Sequence, residues 1–273
     1  MQLLPTLKIH IYKDIEMLHI ITFATDPARL KFLKDTSSNH IHYIMKPTWN
    51  GYFDKIIYTR EYLSSINDND IICFIDGYDV LSFSSEEEIV SKFKSYNCNI
   101  VLGAELNCFP ERYKNAYPMP QIYTTNSLYV NSGGYIGYKH AIMKLLTWKN
   151  DDEIQSICSY FNCGDQAYFT EYYLSHVGGS IKLDTYQKIF QNMHWVSWNE
   201  FYIHKGRIIN SVLNEKPCFM HFNGSAWQTK DKENILPIIV DKVKMSKTDT
   251  NIYTLHDYKQ IITATCWPHK QVG

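Results

Sequence analysis

Two carboxylates, Asp76 and Asp79, follow directly on the apolar run Ile71-Ile72-Cys73-Phe74-Ile75 in the order Asp76-Gly77-Tyr78-Asp79. The run is short, rich in β-branched and aromatic residues, and preceded by the turn-forming Asn67-Asp68-Asn69-Asp70. It reads as a buried strand of an α/β sheet, so both carboxylates emerge at its C-terminal tip, where open α/β sheets bind ligands. Carboxylate oxygens at that spacing suit a hard divalent cation such as Mn²⁺ or Mg²⁺, and such a cation can hold the diphosphate of a sugar nucleotide. The plain alternative is an acidic turn after a strand.

Other residues with chemical capacity stand at comparable places. His221-Phe222-Asn223-Gly224-Ser225 follows Phe219-Met220. The imidazole of His221 can complete a metal site, and Gly224 and Ser225 can offer backbone N–H groups to phosphate, although a lone strand-end His also serves packing alone. Asn131-Ser132-Gly133-Gly134 comes after the strand expected over residues 128–130. There the paired glycines let backbone approach a ligand closely, or simply make a tight turn. Asp165 precedes a helix expected over residues 166–174, with N-capping as its plain role.

The elements that must position these groups alternate along the chain. Strands are expected over residues 18–25, 41–45, 99–104, 182–184 and 218–222. Asp26-Pro27 predicts an N-cap with Pro at the first helical position, and Phe53, Ile56, Ile57 and residues 60–63 carry a helical stripe. Ser85 and Glu88 predict a capping box opening a helix that buries Ile89, Val90 and Phe93. Further helices are expected over residues 141–148, 153–160 and 235–244, and the aromatic segment 106–125 as a loop over the site.

With 273 residues and 45% hydrophobic content, the chain can bury a full core as one soluble α/β domain. A net charge of -1 gives no electrostatic reason to expect nucleic acid or a membrane surface as partner. No stretch approaches the roughly 20 apolar residues of a membrane span, and no secretory pattern opens the chain, so the expected place is the cytoplasm. Seven cysteines without a Cys-x-x-Cys pair argue against a disulfide framework and against zinc held by paired thiolates.

Five segments in order resemble the glucosyltransferase domain of the multifunctional procollagen lysyl hydroxylases, which is related to collagen β-galactosyltransferases. They are residues 73–81 around the acidic pair, Gly103-Ala104-Glu105-Leu106-Asn107-Cys108-Phe109-Pro110, residues 129–137, Gly164-Asp165-Gln166-Ala167-Tyr168-Phe169, and His221-Phe222-Asn223-Gly224. The resemblance spans residues 17–230 and implies a GT-A type, Rossmann-like glycosyltransferase fold with a mixed sheet flanked by helices. It implies Mn²⁺, with Mg²⁺ as substitute, held by Asp76, Asp79 and His221, and UDP-glucose as donor. Tyr78 matches the aromatic residue that contacts uridine, and Thr25 and Lys55 match donor-contacting positions. Asn131, Asp165 and Gln166 match residues around the transferred sugar.

The chain also departs from that pattern. Only Asp165 precedes the Gln where the family often has a run of aspartates. The segment after Gly224 is longer than in the family, which leaves Lys230 as the candidate for phosphate. Phe109 stands where the family has Trp. No hydroxylase domain follows, so a stand-alone transferase is expected, as in large DNA viruses. Its place is then the host cytoplasm, whereas cellular relatives work in the endoplasmic reticulum lumen.

The expected organisation is one domain over 1–273, with a nucleotide-sugar and metal half near 17–140, an acceptor half near 141–230, and a C-terminal helix and tail over 231–273. The expected reaction is retaining transfer of glucose to galactosylhydroxylysine of a collagen-like protein, or to a small sugar acceptor. Three alternatives remain open at this point: a hydroxylysine galactosyltransferase using UDP-galactose, a glycoside hydrolase, and an inactive sugar-nucleotide-binding module.

Overall fold

The structure is a computed structural model describing residues 16–118, 125, 127–160, 164–226, 235–249 and 251–255. In chain order its elements are β1 (Leu18–Ala24), α1 (Lys31–Thr36), β2 (Ile41–Met45), α2 (Phe53–Leu63), β3 (Ile71–Ile75), β4 (Val80–Ser82), α3 (Glu86–Ser95), β5 (Ile100–Glu105), β6 (Tyr129–Tyr138), α4 (Lys139–Leu146), α5 (Asp151–Ser159), α6 (Gly164–Ser175), β7 (Ile181–Leu183), β8 (Phe190–Asn192), β9 (Phe201–His204), β10 (Arg207–Asn210), β11 (Phe219–His221), α7 (Leu236–Met245) and β12 (Tyr253–Thr254).

Nine strands form one mixed sheet in the order β2-β1-β3-β6-β5-β8-β11-β4, with β7 added beside β5. Strand β3 explains why its sequence is apolar throughout: every residue is buried, because both sheet faces are covered. Ile72 and Phe74 pack with Tyr135, Tyr168 and Phe169 on one face, while Ile71, Cys73 and Ile75 pack with Leu33, Phe93 and Phe219 on the other. This period-two division holds β3 in register, since a slip by one residue would exchange the two faces. A third apolar cluster joins the small β10-β9-β12 sheet to α7 through Phe201, Ile203, Ile239 and Val243. The architecture is the helix-flanked mixed α/β sheet expected of a GT-A type fold.

Several local expectations are corrected. The Asp26 carboxylate accepts the Ala28 N–H at 2.9 Å, and α1 begins only at Lys31. Asp26-Pro27 therefore makes a turn, satisfied locally, rather than a helix start. Ser85 does cap α3 by accepting the Glu88 N–H at 3.4 Å. The Glu88 carboxylate, however, turns to Arg207 at 2.7 and 3.1 Å, so only half of the capping box forms. Asn131 to Gly134 lies inside the ten-residue strand β6 rather than in a turn beyond it. There β6 bulges against β5, the register passing from Leu102 opposite Tyr135 to Gly103 opposite Asn131. None of the described helices is long and apolar enough to cross a membrane.

Candidate functional site

Asp76 follows β3, Asp79 precedes β4, and His221 closes β11, which pairs antiparallel with β4 so that His221 lies opposite Val80. Chain reversal over residues 76–79 thus brings both carboxylates to the end of a strand far along the sequence. The His221 Nε2 stands 3.4 Å from Asp79 Oδ1 and 3.7 Å from Asp76 Oδ2. One ligand atom from each of the three residues lies within 4.8 Å of the others, and among the described residues no other such group of His, Cys, Asp and Glu occurs.

The tautomer of His221 follows from its neighbours. Its Nδ1 faces Asn192 Oδ1 at 2.9 Å and Asn131 Oδ1 at 3.2 Å. Asn192 Nδ2 donates to the Ala104 carbonyl at 2.8 Å, and Asn131 Oδ1 accepts the Gly133 N–H at 3.0 Å, so both amides turn oxygen toward the ring. Nδ1 must carry the proton, which leaves the Nε2 lone pair aimed at the two carboxylates. A metal-ligating imidazole is oriented in the same way. Burial disfavours an imidazolium here, but Asp79 and Asp76 outweigh it and hold the His221 pKa above its ordinary value. A field that attracts a proton also attracts a cation.

Backbone shape completes this pocket. A Cβ on Gly133 would fall 2.2 Å from His221 Cε1 and 2.9 Å from Asp76 Oδ2, so only glycine leaves the cluster room. The Gly133 carbonyl in turn accepts the Asp76 N–H at 2.8 Å and fixes the carboxylate at the bulge. Two carboxylates, one imidazole nitrogen and this glycine-lined space fit a hard divalent cation.

Lys55, on α2, spans the floor of the site. Its Nζ lies 2.8 Å from Asp76 Oδ1 and 3.0 Å from Asp165 Oδ2. Burial opposes the ammonium charge, yet Asp165 and Asp76 overcome it and raise the Lys55 pKa. The paired carboxyls diverge: burial raises the pKa of Asp165, whereas at Asp76 the attraction of Lys55 and His221 wins over burial and lowers it. Asp165 lies within the first turn of α6, and its side chain forms an ion pair with Lys55.

Gln166 knits the next layer. Its Nε2 donates to Glu105 Oε1 at 2.6 Å and to the Phe109 carbonyl at 3.0 Å, and its Oε1 accepts from Asn131 Nδ2 and the Ser132 N–H, each at 3.4 Å. Glu105 also accepts from Asn223 Nδ2 at 2.7 Å, and its burial raises its pKa.

On the β1 side, a cleft of about 620 Å³ is lined by residues including Thr25, Arg29, Trp49, Lys55, Tyr78 and Asp79. The Tyr78 hydroxyl accepts the backbone N–H groups of Thr25 and Asp26, both at 2.8 Å, and the Arg29 guanidinium lies 4.0 Å over the Tyr78 ring. The structure thus gathers Asp76, Asp79, His221, Lys55, Asp165, Gln166 and Asn131 around one centre, with Thr25 and Tyr78 on the adjoining cleft. Gly224 follows with φ +62° and packs against His194. Lys230 lies outside the described residues.

Sequence reading missed Glu105, Asn192, Arg29 and Trp49. Glu105 carried a usable signal, being an acidic residue at the C-terminal end of an apolar strand like Asp76. Asn192 and Arg29 carried none, because their partners are distant in sequence.

Comparison with known proteins adds an independent line. The chain is similar to Uncharacterized protein R699 of Acanthamoeba polyphaga mimivirus, 31% identical over 60% of this chain and 33% of that protein. It is likewise 31% identical to the human multifunctional procollagen lysine hydroxylase and glycosyltransferase LH3, over 56% of this chain and 20% of that protein. The chain therefore spans a third or less of these relatives. The crystal structure of a glycosyltransferase involved in the glycosylation of the major capsid of PBCV-1 aligns with a TM-score of 0.48 at 11% identity, covering 84% of this chain and 99% of that one. A family model for the PLOD GT domain matches residues 45–249, most of the chain. The chain belongs to the PLOD GT domain family of glycosyltransferases.

Proposed function

We propose that this protein is a Mn²⁺-dependent retaining glycosyltransferase that moves glucose from UDP-glucose to galactosylhydroxylysine of a collagen-like protein. The observation that carries this reading is the Asp76, Asp79 and His221 cluster, with His221 held in the ligating tautomer beside the Tyr78 cleft. These three residues would hold the cation, which when bound offsets negative charge on the UDP leaving group. Tyr78 and Thr25 take the uridine end of the donor, with Arg29 and Trp49 lining the same cleft. Gly224 and Lys230 serve the diphosphate in this reading.

Lys55 holds Asp165 beside Asp76. This places a fixed negative charge where the sugar would sit, able to stabilise positive charge developing at the anomeric carbon or to orient the acceptor. Asn131 and Gln166, tied to Glu105, hold the sugar in register. Retention then follows from attack on the face the leaving group departs, with the leaving phosphate oxygen accepting the acceptor proton. Residues 17–140 carry most of the donor side and residues 141–230 most of the acceptor side of one domain.

A glycoside hydrolase would place two carboxyls on either side of a sugar, about 5 to 10 Å apart. Here Lys55 Nζ contacts both Asp76 and Asp165 and fills the gap between them. The testing experiment incubates a galactosylhydroxylysine peptide with Mn²⁺ and a panel of UDP-sugars and reads the product by mass spectrometry. A hexose added only from UDP-glucose supports the reading. Addition only from UDP-galactose to hydroxylysine supports the galactosyltransferase instead, and release of sugar without any UDP-sugar supports a hydrolase.

A further inference from the structure

The beginning of α2 reaches the beginning of α6 through Lys55 and Tyr52. Lys55 Nζ meets Asp165 Oδ2 at 3.0 Å, and the ring of Tyr52 lies on Gly164, the residue before Asp165. Gly164 has φ +66° and no side chain, so the ring comes close: a Cβ there would fall 3.3 Å from Tyr52 Cγ and 3.4 Å from both Cδ atoms. Those three atoms are the root of the ring, and its hydroxyl end lies beyond the contact. Trp49 meets the same ring edge to face, with centroids 5.5 Å apart. The Lys55 N–H also donates to the Tyr52 carbonyl at 3.3 Å, which fixes the spacing of the two residues within one turn.

Packing alone does not account for Tyr52. Although Gly164 and Trp49 hold its ring, 47% of the residue's surface is exposed. It lines the cleft that also takes in Lys55, Asp76 and Asp79, and among the described residues its hydroxyl makes no hydrogen bond. Tyr78, which lines the same cleft, differs, because its hydroxyl is already taken by the Thr25 and Asp26 N–H groups. Tyr52 therefore brings to the Asp165 end of the cleft a held ring whose polar group is not spent on the fold.

A phenol hydroxyl both donates and accepts, and glucose and galactose differ only in the direction of one ring hydroxyl. A polar group fixed beside that position separates the two epimers, since the wrong one leaves it unpaired. We propose that Tyr52 is a specificity-determining residue for the donor sugar, its hydroxyl pairing with a ring hydroxyl of the hexose beside Asp165, a role that rests on the glycosyltransferase reading above. Tyr52 then contributes to the binding of a UDP-hexose and not to the binding of UDP.

The test titrates UDP, UDP-glucose and UDP-galactose calorimetrically into the wild type and Tyr52→Phe, each with Mn²⁺. Phenylalanine keeps the ring on Gly164 and removes only the hydroxyl, so the thermal midpoint should not change and UDP affinity should stay within about twofold of wild type. The wild type should bind one UDP-hexose at least about fivefold more tightly than the other, and Tyr52→Phe should lose most of that preference by weakening the favoured one about fivefold. Unchanged affinity for both UDP-hexoses in Tyr52→Phe, an equal loss for UDP itself, or a wild type without preference overturns the assignment while leaving the transferase reading intact. A wild type that binds no UDP with Mn²⁺ removes that reading and the role of Tyr52 with it.

Discussion

Asn192 holds its Oδ1 2.9 Å from His221 Nδ1, across the pairing of β8 with β11. The amide cannot turn over, because its Nδ2 is engaged by the Ala104 carbonyl at 2.8 Å. Orientation of the metal-facing imidazole is therefore set by a strand that contributes no ligand of its own.

Replacing Asn192 by Leu keeps the bulk and removes the acceptor. Outer partners of ligating histidines typically contribute 10- to 100-fold in metal affinity, so Mn²⁺ binding should weaken by about that factor. Titration of Mn²⁺ by electron paramagnetic resonance measures it. Unaltered affinity would mean that Asn131 alone suffices to orient the ring.

Gly133→Ala places a methyl group 2.2 Å from His221 Cε1, which the strand cannot accommodate without moving the imidazole or the bulge. A stability loss of about 1–3 kcal/mol is expected from overpacking. Metal-supported UDP binding should fall at least about tenfold in the protein that still folds. Full UDP affinity in a folded Gly133→Ala protein would show that the glycine serves the strand alone.

Lys55→Met leaves the buried Asp165 and the half-buried Asp76 side by side without their shared cation. Breaking a buried pair in this way costs about 3–5 kcal/mol, read as a lower denaturant midpoint. Adding Asp165→Asn to Lys55→Met should restore part of that stability but no glycosyl transfer. Asp165→Asn alone keeps the Lys55–Asp76 pair, so stability should change by only about 1 kcal/mol while turnover drops far more than UDP affinity. Wild-type turnover in that variant would confine Asp165 to anchoring Lys55.

Why some of this was legible in sequence, and some not, follows from the range of each interaction. Strand β3 and the acidic pair were readable because a run buried on both faces is apolar throughout and stops where the carboxylates begin. Strand β2 is observed over Ile41–Met45, as its local pattern predicts. Asp165 looked like a helix cap because the lysine that claims it is on α2, far back in the chain. The β6 bulge was hidden for a similar reason, since the glycines that permit it are demanded by His221 and Phe190 across the sheet. Nothing local announces that Trp195 adopts a conformation normally left to glycine.

Glu88 offers a pH-dependent test of how α3 is tied to the β9–β10 ribbon. Burial works against its charge, but Arg207 and Lys92 bring its pKa down from 4.5 to about 2. A depressed carboxyl stabilises the fold above its unfolded pKa, and that contribution is lost as pH falls from 4.5 toward 2. With 31% of the Glu88 side chain exposed, solvent screening reduces its worth to about 1 kcal/mol at neutral pH. Glu88→Gln should therefore lower the urea midpoint at pH 7, and the difference from wild type should shrink as the pH is taken below about 4. A difference independent of pH would assign the loss to packing.

Calorimetric titration of UDP into the wild type and Asp79→Ala, each with Mn²⁺ and with a chelator, tests the central claim most directly. Asp79 lies in the cluster but makes no ion pair with Lys55, so its removal takes a ligand and spares the floor of the site. UDP should bind the wild type with Mn²⁺ and lose most of that affinity both on chelation and in Asp79→Ala. Equal UDP affinity in all four titrations would contradict a donor held through a cation at Asp76, Asp79 and His221.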